Sequence, residues 1–250
     1  MAALRGAKRR ALVCYVTAGH PDAGKSLALV QGIADAGADV IELGVPFSDP
    51  VADGPVIQGS SQQALEGGMT LDKTLELAAA AKVKSPMVLF SYLNPLLAAG
   101  SDVLVRAKSA GISGLLVTDL PVGADPEREA WIGAGPLSFV RLVAPTTPTD
   151  RMVQIASHGS GFVYLISRLG VTGARSDVPA DLPGTLARLR SVCTLPICVG
   201  FGVSTPAQAR SVADLADGVV VGSALVSAAG RSVAEAVKLV RELRAALDAA

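Results

Sequence analysis

Residues 39–55 read DVIELGVPFSDPVADGP, a short aliphatic run with one glutamate in it, followed by a dozen residues rich in Pro, Gly and Asp. In an extended strand successive side chains alternate, so Val40 and Glu42 share one face while Ile41 and Leu43 share the other. With Ile41 and Leu43 packed against helices, Glu42 points to the interior of a sheet or barrel near the end of its strand. An isolated carboxylate held charged there costs several kcal/mol even after relaxation. Either Glu42 is neutralised by a partner, or a site uses it. No Lys or Arg lies within the next thirty positions.

The same type of run recurs along the chain. LVCYV (12–16), DVIEL (39–43), MVLFS (87–91), GLLVT (114–118), SFVRL (138–142), FVYLI (162–166), PICVG (196–200) and GVVVG (218–222) read as strands. Between them, segments such as SLALVQGIADAG, LDKTLELAAAAKV, SDVLVRAKSAG and SVAEAVKLVRELRAAL repeat apolar residues at three- and four-residue intervals, the period of amphipathic helices. Alternating strand and helix predicts a parallel sheet with right-handed crossovers. Eight such units in 250 residues predict an α/β fold, a single (β/α)8 TIM barrel spanning 1–250, with a doubly wound open sheet as the alternative. Most strand starts lie about 21 to 27 residues apart; the two longer intervals follow strands two and six. Long loops are therefore expected after those strands, at the carboxyl ends where barrel enzymes build their sites.

Composition sets the outer limits. Half the residues are hydrophobic and only 4% aromatic, so the core is built from Val, Leu, Ile and Ala. Lys plus Arg equals Asp plus Glu, 22 against 22, which gives no general attraction to nucleic acid or an anionic membrane. No apolar run approaches the roughly 18 residues of a membrane helix. Cys14, Cys193 and Cys198 have no metal-binding spacing, and with no signal sequence evident a reduced, cytoplasmic protein is expected. His20 and His158 stand alone and read as surface or helix-end residues, so no metal centre is expected.

Two groups of residues point to chemistry. Asp49 and Asp53 lie in SDP and ADGP, ordinary turn settings in which the carboxylate accepts from nearby amides. A loop anchored just after Glu42 also brings such a residue back over the barrel mouth, where two carboxylates in different environments divide acid and base work. The second group is glycine-rich: LGVTGARS after strand six, VGFGVSTPAQA after strand seven and VVVGSALVSAAG after strand eight. Glycines allow close approach of the backbone, and helix N-termini favour anions, so Gly173 and its counterparts read either as tight turns or as a phosphate cradle made of amides. No lysine stands at a strand end, and there is no nucleophile elbow, Cys–His pairing or dinucleotide fingerprint. Carboxylate acid–base chemistry on a small phosphorylated molecule is favoured, the substrate supplying its own electron sink.

IELGVPFSDPVADGPVIQ, YLISRLGVTGARSDVP, VGFGVSTPAQ and ADGVVVGSALV resemble the tryptophan synthase α subunit family, and the likeness runs from YVTAGHPD (15–22) to the last strand. Relatives often carry Phe where this chain has Tyr15. The resemblance implies retro-aldol cleavage of indole-3-glycerol phosphate to indole and glyceraldehyde 3-phosphate, the indole ring accepting electrons once C3 is protonated. It implies Glu42 as general acid and base, and Asp53 as acceptor of the indole N–H. It places phosphate contacts on Gly173, Gly202, Gly222 and Ser223. Tyr164 and Phe201 would line the pocket, with Tyr15, Phe90 and Leu116 by position, and Thr172 would bond the strand-two acid. It also implies a β subunit, paired as an α2β2 heterotetramer through Pro46, Asp49 and SYLNPLL, with pyridoxal phosphate only in that partner. Alternatives are an allosteric subunit with little activity of its own, or another phosphate-binding barrel. Indole-3-glycerol phosphate synthase would place a lysine at a strand end, and a phosphoribosyl isomerase would use an Asp such as Asp119.

Overall fold

The computed structural model describes residues 1–7, 9–166, 181–200 and 202–249, the side chains of residues 2 and 3 excepted. Eight strands form: β1 (Ala11–Thr17), β2 (Val40–Gly44), β3 (Met87–Ser91), β4 (Ile112–Val117), β5 (Ser138–Val143), β6 (Val163–Ile166), β7 (Ile197–Gly200) and β8 (Gly218–Val221). Each pairs in parallel with its sequence neighbours, and β8 pairs back onto β1 through Ala11↔Gly218 and Cys14↔Val221. That last pairing closes a TIM barrel and excludes the open sheet. Among the described residues the helices are α1 (Ala2–Gly6), α2 (Ala23–Asp35), α3 (Pro55–Glu66), α4 (Leu71–Ala81), α5 (Leu93–Ala98), α6 (Val103–Ser109), α7 (Pro126–Gly133), α8 (Thr149–Ser157), α9 (Leu182–Val192), α10 (Pro206–Ala213), α11 (Ser223–Arg231) and α12 (Val233–Asp248).

One expectation is corrected. Much of the extension after β2 is not loop: α3 occupies Pro55–Glu66, started by proline in its first turn, and the loop proper covers 45–54. The stretch 167–180 after β6 lies outside the described residues.

Alternation along the strands divides the core in two. Leu12, Cys14, Val16, Ile41 and Leu43 turn outward into the large layer between strands and helices. Val13, Val40, Val88, Leu116, Val140, Phe162, Cys198 and Val220 turn inward and fill the barrel. Each fully buried Val or Leu contributes about 1.5–3 kcal/mol relative to exposure, which is why β-branched and aliphatic residues dominate both layers.

Acidic residues at the strand entrances are structural. Asp39 accepts from the Leu12 amide at 2.9 Å and from Arg244 Nη1 at 2.8 Å, and also pairs with Arg9. Asp217 accepts from the Ile197 amide at 2.9 Å and from Arg190 at 3.2 Å. On the outer wall, Arg141 of β5 meets Glu129 of α7 at 2.7 Å, both buried, and donates further to the carbonyls of His158 and Leu120. His158 ends α8 on the surface, as expected, whereas His20 is buried, 7% exposed, against Gly230 of α11.

Candidate active site

The C-terminal ends of the strands gather most of the residues singled out in the sequence. Glu42 lies in register with Tyr15 of β1 and Val88 of β3, facing inward, and is 1% exposed. Among the described residues neither carboxyl oxygen has a hydrogen-bond partner. Burial alone pushes its pKa from 4.5 to about 8. Burial thus favours the protonated form of Glu42 near pH 7, and among the described residues no arginine or amide pairs with it, which leaves the structural ion-pair reading without a partner there.

Asp53 sits on the far side of the loop that follows β2. Its carboxylate accepts a hydrogen bond from the Tyr92 hydroxyl at 2.8 Å, and the same hydroxyl accepts from the Ala52 amide at 3.0 Å. Burial raises the Asp53 pKa, and the Tyr92 bond opposes that rise. Its main chain is tied to α3: Gln58 Nε2 donates to the Asp53 carbonyl at 2.8 Å, and the Asp53 amide donates to Pro50 O at 3.0 Å. Both acids act on the same two phenols at the barrel mouth. The Tyr15 phenol is raised first by burial, then by the Asp53 charge, with a further contribution from Glu42. Tyr164 is raised by burial, then by Glu42, Cys198 and Asp53.

Aromatic and aliphatic side chains pack around these groups. Tyr15, Ile57 and Val226, with Val56 and Phe90, form an apolar cluster at the mouth, where Phe90 stands edge-on to Tyr15 at 5.1 Å between ring centroids. Leu116 is fully buried and belongs to the barrel filling below, and Tyr164 packs against that filling. Both phenols fit because the next strand carries glycine. A Cβ at Gly44 would lie 2.6 Å from Tyr15 Cζ, and one at Gly200 would lie 2.6 Å from Tyr164 Cζ.

At the anion end, Gly202 follows β7 with φ +73°, a conformation that favours glycine. Gly222 precedes α11, and no side chain caps that helix, whereas α10 and α12 are capped by Thr205 and Ser232. The first amides of α11, beginning at Ser223, thus present a partial positive charge that no N-cap side chain offsets. Ser223 and Ser204 also line a cleft of about 550 Å³ that runs out between α11 and α12.

Thr172, Gly173 and Phe201 lie outside the described residues. Pro46 is buried and Asp49 exposed, and Phe47 is half-buried against the Tyr92 ring, 5.2 Å between centroids. Asp119 is bonded to the Leu93 amide at 2.8 Å, which fixes the start of α5. Lys25, Lys73, Lys108 and Lys238 lie on helices, none at the C-terminal end of a strand. Among the described residues no lysine stands where the synthase chemistry needs one, and Asp119 is engaged at the start of α5. The residue missed in the sequence is Tyr92, noted only within SYLNPLL. Its signal was its place one residue beyond β3, on the same face of the barrel as the loop carrying Asp53.

Comparison with known proteins agrees with this geometry. Residues 1–249 match the family model described as tryptophan synthase alpha chain. A tryptophan synthase alpha chain from Geobacter sulfurreducens is 44% identical over 96% of both chains. One from Desulfatibacillum aliphaticivorans is 48% identical over 89% of this chain and 85% of its own length. Among solved structures, a Mycobacterium tuberculosis tryptophan synthase chain superposes with a TM-score of 0.91 at 36% identity, covering 98% of this chain and 95% of that one. The tryptophan synthase subunit alpha of Legionella pneumophila superposes with a TM-score of 0.90 at 31% identity, covering 100% and 97%. A closed barrel with a buried glutamate at its mouth thus stands alongside a match over nearly every residue, and the chain belongs to the tryptophan synthase alpha chain family.

Proposed function

We propose that this chain, acting as one domain over residues 1–250, cleaves indole-3-glycerol phosphate to indole and glyceraldehyde 3-phosphate. The observation that carries the assignment is the Glu42 carboxyl: inside the barrel, unpaired, and pushed up to about 8. A protonated acid at pH 7 gives its proton to indole C3, which makes the ring an electron acceptor. Asp53 accepts from the indole N–H and stabilises the positive charge that develops there, worth a few kcal/mol in a water-poor site. The carboxylate left on Glu42 then takes the proton of the side-chain hydroxyl. The C–C bond breaks, its electrons restore the indole ring, and the hydroxyl carbon becomes the aldehyde. Glu42 ends protonated, ready for another turnover.

Tyr15, Phe90, Leu116, Tyr164 and Phe201 shape the indole end of this reading. Gly173, Gly202, Gly222 and Ser223 bind the phosphate through main-chain amides, and Thr172 closes on Asp53. The ring is its own electron sink, so this chain needs no cofactor. Pyridoxal phosphate belongs to the β subunit that receives the indole, docked over the loop of Pro46 and Asp49 in an α2β2 assembly. No helix among the described residues is long and apolar enough to cross a membrane, and we assign the enzyme to the cytoplasm. Indole release from indole-3-glycerol phosphate, with and without the β subunit, tests the reading. Wild-type protein is expected to produce indole and Glu42→Gln to produce none; comparable turnover by both proteins would remove Glu42 from the reaction.

A further inference from the structure

Thr17 and Ser60 belong to a buried chain of hydroxyls that the reaction above does not use. Thr17 Oγ1 lies 2.7 Å from Ser60 Oγ, and Ser60 Oγ donates to Ile57 O at 2.8 Å. Thr17 is 1% exposed and Ser60 3%. The direction of the chain follows from its end. A carbonyl only accepts, so the Ser60 proton goes to Ile57 O, and Ser60 Oγ then takes the Thr17 proton. Tyr15 Oη stands 3.5 Å from Thr17 Oγ1, a long contact at the outer end of the chain.

The link joins two elements that each carry one of the acids. Thr17 ends β1, whose register sets Tyr15 against Glu42 and Thr17 against Gly44 of β2. Ser60 lies on α3, to which the Asp53 main chain is bound through Gln58. Helix α3 begins on Gly54 with no side-chain cap; its first turn packs Val56 and Ile57 into the apolar cluster with Tyr15, and the Thr17–Ser60 bond adds a directional tie to β1. A second tie, from Gln63 Nε2 to Pro21 O at 3.1 Å, is on the surface and contributes less.

We propose that Thr17 and Ser60 are positioning residues that set the separation between Glu42 and Asp53 by fastening α3 to β1. The proposal rests on the assignment of those two acids and deepens it. Without the fastening, α3 rides higher, Asp53 moves from the indole nitrogen and is rehydrated. A displacement of about 1 Å in such a site lowers turnover by up to about a hundred-fold.

The test uses the full chain with its β subunit. Thr17→Val is nearly isosteric and leaves Ser60 bonded to Ile57 O, while it removes the Thr17 hydroxyl from Ser60 Oγ and Tyr15 Oη, so Tm is measured alongside the kinetics. Expected are a fall in kcat of about ten-fold or more with KM nearly unchanged, because the lost contact acts in the transition state. The acidic limb of the kcat/KM profile should move to lower pH as Asp53 is rehydrated, and Thr17→Ser should restore both. Ser60→Ala provides an independent arm, and the double variant should be no slower than the slower single one. Unchanged kcat and pH profile in Thr17→Val or Ser60→Ala, or losses that simply add, would overturn the proposal, even with a lowered Tm. Wild-type protein that makes no indole with its partner would instead defeat the assignment on which it rests.

Discussion

Replacing Glu42 with Gln should make the protein's stability less dependent on pH, and the size of the effect follows from the burial of one carboxyl. Its pKa is 4.5 when solvated and about 8 in the folded chain. Between those values the unfolded state binds fewer protons than the folded state, so stability falls as pH rises. The contribution is fully present below 4.5 and is lost as pH rises through about 8. From pH 5 to pH 8 the loss amounts to about 3–4 kcal/mol, or about 10 °C in Tm for a chain of this length. Gln has the same shape and no charge, so its own unsatisfied amide lowers stability equally at every pH and cancels from the comparison. Thermal melts of wild type and Glu42→Gln across that range should diverge, the variant gaining steadily on the wild type toward alkaline pH. Activity provides a second readout: a carboxyl that must begin protonated predicts that wild-type kcat/KM declines as pH rises through about 8. Parallel stability curves would refute the reasoning, because they would mean that Glu42 is solvated or paired in the folded protein.

Three further outcomes are expected. Tyr92→Phe removes the side-chain donor to Asp53, which should raise the Asp53 pKa and lower kcat about ten-fold, measurable in a pH–rate profile. Gly44→Ala drives a methyl group into the Tyr15 ring and should destabilise by about 1–3 kcal/mol; adding Tyr15→Val should recover most of the lost Tm. Arg141→Met leaves Glu129 buried without its cation and should reduce stability by about 3–5 kcal/mol, while Arg141→Met with Glu129→Leu should restore much of it in denaturant titrations.

Sequence legibility varied with the range of the interactions involved. Strand faces were readable because alternation is local: Val40 with Glu42 inside, Ile41 with Leu43 outside, is the arrangement found. The strands also fall within about two residues of their expected spans. The extension after β2 was misread where α3 begins, since SSQQ and the flanking glycines weaken its apolar period and only Ile57 and Ala64 mark the buried face among hydrophobics. His20 was misjudged because burial of a loop residue depends on α11, more than two hundred residues later in the chain. Tyr92, Ser60 and Arg141 were not picked out because each acts through a side chain distant in sequence: Asp53, Thr17 and Glu129. A lone polar residue carries no period that would give such a partner away.

The two phenols that lie over Gly44 and Gly200 have a consequence for how this site can change over time. Its width is recorded partly as side chains that are missing, so the route to a different cavity depends on the order of the steps. A bulkier residue on either glycine is acceptable only after the neighbouring tyrosine has shrunk; the opposite order passes through an overcrowded intermediate. Variants selected for substituted indoles should accordingly first acquire changes at Tyr15 or Tyr164, and only afterwards at the glycine each one overhangs.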